Sequence, residues 1–311
     1  MTGESQFIAM MRGIATSPLA RGLQDDAALL TVGGETLVLT HDMMVAGLHW
    51  LPHANPADIA WKLVATNLSD LAAKGAEPLG LLLGYMLSGD EWDMRFAAGL
   101  HDAVNHYQVA LLGGDTVGGD GDVCALGMTA IGRATCNPVP SRSGARPGDL
   151  LYVTGTLGDA KAGFDLENDD DAGLDISGAA ALRAAFNRPV PLLAEGRLLA
   201  PRVHAMMDVS DGLLIDAKRM AAASDIQVVI DVGKIPLSPE YVHFLGDNSD
   251  SRIEAASWGD DYQLLFAMPP ERLPPVAAIC VGHFCDGAGL TLMHEGAAIA
   301  GPSKLGFEHR G

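Results

Sequence analysis

The chain has 311 residues, 48% hydrophobic and 19% charged, which excludes global disorder and leads to an expectation of two domains of roughly 150 residues each. Thirty-nine acidic against twenty basic residues give a net charge of -19, a field that repels nucleic-acid phosphates and anionic lipid. The longest nearly unbroken apolar run, Leu79 to Leu87, contains two glycines and is half a membrane span, so neither nucleic acid nor membrane is an expected partner.

In chain order, Phe7 to Met11 is an apolar patch with no basic stretch before it and no small-residue cleavage site after it, so export is not expected. Glu35 to Thr40 reads as a short buried strand that turns polar at His41-Asp42. Asn55-Pro56 opens a helix that runs to Lys74 and is stopped by Gly75. A second helix is predicted over Asp93 to Tyr107, then a strand over Val109 to Leu112 ending in Gly113-Gly114-Asp115-Thr116, then a strand over Cys124 to Ile131. Prolines, glycines and serines crowd between Pro138 and Gly148, which divides the chain into residues 1–137 and 138–311. Leu150 to Thr154 is a strand that enters the turn TGTLGD and a helix. Glu167 to Asp171 reads as a solvated acidic loop. Ala205 to Asp208, Ile226 to Val232 and Leu264 to Met268 are predicted strands, and Leu213 to Ala223 a helix. The x-x-S-D pattern occurs at Asn67 to Asp70 and again at Asp208 to Asp211, which suggests a weak duplication of two α/β halves. The four cysteines form no C-x-x-C pair, and free thiols in a reducing cytoplasm are expected.

Asp42, Asp115 and Asp208 each follow an apolar strand-like run, where α/β folds bind ligands. Each is separately readable as a turn or N-cap residue. Together with Asp26, Asp70 and Asp211 they point to a cleft of crowded carboxylates, whose repulsion costs several kcal/mol unless a cation neutralises it. Magnesium suits such a site, because it takes one or two carboxylates and leaves its other positions to water and phosphate oxygens. Asp70 is open to two readings: an exposed i,i+4 ion pair with Lys74, or one member of a polar stripe of Asn67, Asp70 and Lys74 on a helix otherwise rich in Leu and Ala. The TGTLGD turn lacks the Gly-Lys-Ser/Thr of a Walker loop and reads as a strand-to-helix turn ahead of a phosphate cradle. Arg142 is either a phosphate contact or a solvated loop residue, and His49-Trp50 either a substrate contact or a half-buried pair.

In order, QDDAALL (24–30), LTHDMMVAGLHW (39–50), NLSDLAAKGAEP (67–78), LLGGDT (111–116), RSGARPGDLLYVTGTLGD (142–159), DVSDGLLID (208–216) and GDDYQLLF (259–266) resemble the thiamine-monophosphate kinase family. The match extends to about Phe307. The resemblance implies an α/β, two-domain architecture of the aminoimidazole-ribonucleotide synthetase-like superfamily, homodimeric through the N-terminal domain. It implies transfer from ATP to thiamine monophosphate, giving thiamine diphosphate, with magnesium. By motif, Asp26, Asp42, Asp70, Asp115, Asp208 and Asp211 are implied magnesium ligands, with Thr40 and His41 adding ligand oxygens. Gly114, Asp115, Arg142 and Ser210 are implied ATP contacts, and His49, Asp260 and Phe307 implied contacts to thiamine monophosphate. Three positions depart from the family pattern: Gln24 for Gly, His41 for Thr or Ser, and Asp260 for Glu.

The implied chemistry needs no general base. A phosphate monoester has a second pKa near about 6 and is already an anionic nucleophile at neutral pH. Direct in-line transfer without a phosphoenzyme is therefore the expected route, and His41 is the first suspect if a residue is phosphorylated instead. Among relatives, selenophosphate synthetase would need a reactive cysteine near its start, and the first 123 residues hold none. A hydrogenase-maturation protein should end in cysteine, whereas this chain ends His309-Arg310-Gly311. Aminoimidazole-ribonucleotide synthetase and an inactive magnesium-nucleotide binder stand as the alternatives.

Overall fold

The computed structural model describes residues 3–118, 124–168 and 178–308, so His309-Arg310-Gly311 and most of the acidic loop fall outside the described residues. The α/β class expected from the sequence is the one adopted, built as two sheets with their own helices. A short N-terminal helix, α1 (Glu4–Arg12), precedes the first sheet. That sheet contains β1 (Ala28–Val32), β2 (Glu35–Val45), β3 (Ala76–Met86), β4 (Leu111–Val117) and β5 (Ala125–Ala134), in the order β1-β2-β5-β3-β4. All its neighbours are antiparallel except β3 and β4. The second sheet has seven strands in the order β12-β11-β8-β10-β6-β9-β7. They are β6 (Leu150–Thr154), β7 (Ala205–Asp208), β8 (Gln227–Asp231), β9 (Leu264–Met268), β10 (Ala278–Cys285), β11 (Gly289–His294) and β12 (Ala297–Ile299).

Two helices belong to the first sheet, α2 (Pro56–Ala73) and α3 (Asp90–Tyr107). The second carries α4 (Asp159–Asn168), α5 (Ala179–Asn187), α6 (Leu193–Leu199), α7 (Leu213–Ala223), α8 (Pro239–Leu245) and α9 (Ser249–Ala256). Helix α2 starts as its sequence requires: the Asn55 side chain accepts the Ala57 N–H at 3.2 Å and Pro56 takes the first position. Its apolar residues run nearly all round the helix, and such a helix is buried rather than laid on a surface. It packs on β2, β3 and β5 on one side and reaches α6 and β7 of the second sheet on the other. For that reason all four residues of β7 are buried although it is an edge strand. Gly196 permits the approach of α6, since a Cβ there would lie 2.1 Å from the Ala72 carbonyl oxygen.

Several predicted boundaries move: α3 starts at Asp90 rather than Asp93, and β5 runs on to Ala134 rather than ending at Ile131. Strand β2 does not stop at Thr40 but runs to Val45, with Asp42 paired to Met128 in mid-strand. Strand β4 begins at Leu111 and contains the Gly113-Gly114-Asp115-Thr116 segment predicted to follow it. In both cases the ladder continues through polar and glycine residues because a neighbouring strand is there to pair with. Only Asp208 ends its strand. The two x-x-S-D segments also differ locally, one in the body of α2 and the other spanning the end of β7 and the turn before α7.

Candidate active site

A cavity of about 510 Å³ lies where α2, β2 and the Ser257–Tyr262 loop face one another. Its lining includes Asp26, Asp42, Asp70, Asp208 and Asp211, with Arg142, Ser210, His49, Asp260 and Phe307. Asp26, Asp70 and Asp208 come from the segment before β1, from α2 and from the end of β7, and can each place a carboxylate oxygen within 4.8 Å of the other two.

Hydrogen bonds aim this triad. Thr40, directed inward from β2, donates to Asp70 and to the Asp26 carbonyl. Ser69 donates to Asp208 at 2.6 Å, so the two x-x-S-D segments meet in space. Arg142 Nε donates to Asp26 at 2.6 Å, so the loop arginine is ion-paired at the cavity wall rather than solvated. Lys74 does not pair with Asp70. It is fully buried, with Nζ 2.5 Å from both Asp25 and Asp26 and donating to the Met206 carbonyl at 3.1 Å.

Crowding sets the electrostatics. Burial, then repulsion from Asp26, Asp216 and Asp42, pushes Asp208 up to about 8. Burial, then Asp26 and Asp211, pushes Asp42 up to about 6, and Asp70 is raised well above the usual carboxylate range by burial and by Asp42, Asp208 and Asp26. Asp25 goes the other way: burial opposes its ionisation, but Lys74 and Arg21 hold it well below the ordinary range. Three short carboxylates gathered at one point, with Asp70 and Asp208 held above the usual carboxylate range and oriented by the Thr40 and Ser69 hydroxyls, are a donor set suited to a hard divalent cation such as magnesium.

Several expected site residues lie elsewhere. The His41 side chain is exposed on the opposite face of β2 from Thr40 and Asp42, with Nδ1 2.9 Å from the Thr129 hydroxyl. The imidazole is therefore not beside the cluster, and the expected ligand role of residue 41 is left to its backbone alone. Gly114 and Asp115 lie on edge strand β4, outside the cavity lining, and the Asp115 side chain accepts the Thr116 N–H at 3.0 Å. Asp211 lines the cavity but is ion-paired to Arg219, which also holds Asp216 at 2.9 Å. Burial, followed by repulsion from Asp211, pushes Asp216 up to about 6.

Much of the remaining cavity lining is aromatic. Trp50, Phe164, Phe186, Trp258, Tyr262 and Phe307 line it together with His49 and Asp260. His49 Nδ1 accepts the Val45 N–H at 2.9 Å, so a neutral ring carries its proton on Nε2 and is a donor rather than a base. Asp260 adopts φ 59°, held by its N–H to the Ser210 carbonyl at 2.8 Å, and the preceding Gly259 allows the contact, since a Cβ there would lie 2.5 Å from that oxygen. The TGTLGD turn is a strand-to-helix turn: the Gly158 N–H at the start of α4 is taken by Asp261 at 2.9 Å.

Asp25, Lys62, Ser69 and Lys74 were not singled out from the sequence as site residues. The signals it carried were the doubled acid at Asp25-Asp26, the repeated x-x-S-D pattern around Ser69, and the lysines amid the apolar residues of the helix predicted from Asn55 to Lys74.

The family model described as AIR synthase related protein, N-terminal domain, matches residues 24–134, and its C-terminal counterpart matches residues 146–288. The thiamine-monophosphate kinase of Caulobacter vibrioides is 37% identical over 308 residues, covering 94% of this chain and 86% of that protein. That of Escherichia coli K12 is 35% identical over 303 residues, covering 93% and 91%. Among solved structures, AaThiL complexed with AMPPCP and TMP superposes with a TM-score of 0.86 at 28% identity, covering 99% of this chain and 97% of that one. The hydrogenase maturation protein HypE in complex with ATP, at 21% identity and a TM-score of 0.69 over 93% and 91%, shares the fold.

Proposed function

The chain belongs to the AIR synthase related family and, within it, to the thiamine-monophosphate kinases, and on that premise we propose that it transfers the γ-phosphoryl group of ATP to thiamine monophosphate, giving thiamine diphosphate. The observation that carries this reading is one cavity whose lining combines a carboxylate triad with several aromatic side chains and a further carboxylate, Asp260. Asp26, Asp70 and Asp208, with Asp42 beside them, would hold magnesium, which when bound neutralises and orients the phosphates.

The remaining work belongs to the chain's own side chains. Thr40, Ser69 and Arg142 fix the carboxylates before substrate arrives, so little reorganisation is needed at the moment of transfer. His49 donates from Nε2, Asp260 faces the cationic ring, and Phe307 is held over the cavity by its N–H to the Asp211 carbonyl at 2.9 Å. The acceptor phosphate is its own nucleophile, and the placing of His41 on the outer face of β2 supports direct transfer without a phosphoenzyme.

A homodimer and a cytoplasmic setting belong to the same reading. Edge strand β4 presents exposed Leu111, Leu112 and Val117, an apolar face suited to a second copy. Gly114 and Asp115 are on that strand, so their assignment to ATP and magnesium requires a second copy to bring them to the cavity. Four free cysteines agree with a reducing compartment. No helix among the described residues is long and apolar enough to cross a membrane.

Incubation with ATP, magnesium and thiamine monophosphate should yield thiamine diphosphate. Initial-rate lines should intersect, and ATP chiral at the γ-phosphorus should give inverted product. Parallel lines or retention would replace direct transfer with a phosphoenzyme.

A further inference from the structure

Lys62 and Asp260 form an ion pair inside the substrate cavity, with Lys62 Nζ 2.7 Å from Asp260 Oδ2. The lysine side chain is 6% exposed and the aspartate 31%. Lys62 Nζ also sits 4.0 Å from the centre of the Phe186 ring, and the Tyr262 hydroxyl donates to the other Asp260 oxygen at 3.0 Å. Lys62, Thr66 and Asp70 occupy positions i, i+4 and i+8 of α2, so they share one face, and the stripe rises about 12 Å along the helix. All three line the cavity. The stripe therefore leads from the Lys62–Asp260 pair to the carboxylate triad, along the path that a ring-bearing phosphate must span.

Three cations line the cavity among the described residues, Lys62, Arg142 and Lys304. Arg142 is bonded to Asp26 within the triad, and Lys304 lies 5.4 Å from the Phe307 ring centre. Lys62 alone is paired to the carboxylate assigned to the cationic ring. If Asp260 turned to that ring with nothing else changed, Lys62 would be left buried without a counter-charge, a costly arrangement. A substrate that brings both a cationic ring and a phosphate removes the difficulty, because it carries the same two charges as the pair.

We propose that the Lys62–Asp260 pair exchanges partners when substrate binds: Asp260 takes the cationic ring, while Lys62, with Thr66, takes the substrate's phosphate and aims it at the triad. This deepens the kinase reading and rests on it. The exchange makes each charge of the substrate a condition for using the other. A cationic ring without phosphate strands Lys62, and a phosphate without a cationic ring strands Asp260. Specificity then arises from the penalty of an unpaired charge, larger for the buried Lys62 than for the part-exposed Asp260, rather than from added contacts.

The test compares thiamine monophosphate, thiamine and phenyl phosphate by calorimetry in magnesium buffer without ATP, with steady-state kinetics alongside. Wild-type protein should prefer thiamine monophosphate to thiamine by at least about tenfold. Lys62→Met should weaken thiamine monophosphate by at least about tenfold and tighten thiamine, raising KM for the monophosphate but not for ATP. Lys62→Arg should restore the preference for the monophosphate. Asp260→Asn should give the mirror image, with thiamine weakened and phenyl phosphate tightened, and it decides the matter if Lys62→Met does not fold. Equal weakening of thiamine and its monophosphate in Lys62→Met, or Asp260→Asn without tighter phenyl phosphate, overturns the exchange while leaving the kinase reading intact. Wild-type protein that makes no thiamine diphosphate overturns both.

Discussion

Lys74 and Asp70 stand four residues apart on α2, the spacing of a surface ion pair, yet their side chains serve different partners. Lys74 is buried between Asp25 and Asp26, and Asp70 takes the Thr40 hydroxyl. Removing the ammonium takes from two buried carboxylates the cation they share and leaves Asp25 only Arg21 and Asp26 only Arg142, so Lys74→Met should cost about 3–5 kcal/mol in denaturant unfolding, far beyond the loss of an exposed pair. Asp208→Asn should do the opposite to stability, because it deletes one of three mutually repelling acids. Metal-free Tm should hold or rise while turnover falls by more than about 100-fold. A fall in metal-free Tm with activity retained would make Asp208 a structural residue. The same crowding sets a pH dependence. Asp208, at about 8, and Asp42 and Asp216, at about 6, are raised above the ordinary value of 3.8, so the native chain keeps protons that the unfolded chain has released. Metal-free protein should therefore lose stability from about pH 4 to about pH 8, and magnesium should flatten the trend by taking the place of those protons. Melting curves in EDTA that rise over this window would contradict the assignment. Asp25, shifted downward, contributes stability that is lost only at lower pH.

Among the elements, α2, α7, β6, β7 and β9 follow from the text of the chain because their signals are local: an Asn-Pro start, a glycine after β7, and apolar runs of strand length. Strands β2 and β4 do not, because their pairing partners are remote in sequence and carry the ladder through residues that read as turns. The glycine in β4 shows the consequence. A Cβ on Gly114 would lie 1.8 Å from the Leu83 carbonyl oxygen, so Gly114→Ala should force β4 away from β3. Loss of the proposed β4-mediated dimer in sedimentation, with the second sheet's melting transition unchanged, is the expected outcome; a Gly114→Ala chain that sediments as a wild-type dimer would move the interface off β4.

For the whole molecule, the cavity exists because α2 is shared between the two sheets, so that Asp70, Asp208 and Asp26 meet although up to 182 residues separate them in the chain. Asp115 remains apart in the single chain, and the proposed dimer makes a specific demand. Asp115→Asn and Asp208→Asn homodimers should both be inactive, and mixing them under exchange should recover activity if Asp115 serves the partner's cavity. Continued inactivity of verified mixed dimers would return Asp115 to a role within its own chain or none.

The sequence by itself determined the family, the α/β class and several of the acids that gather in the cavity, Asp26, Asp42, Asp70, Asp208 and Asp211 but not Asp25, because motif order, apolar periodicity and the sharp cues of Asn-Pro and glycine are properties of neighbouring residues. It did not determine which acids share one cluster, that His41 faces away, that Lys74 neutralises Asp25 and Asp26, or that Lys62 already occupies Asp260. Those depend on distances across the fold and on burial, and the same carboxylate that is a solvated charge in a loop becomes a repelled, proton-holding group only when the second sheet closes over it.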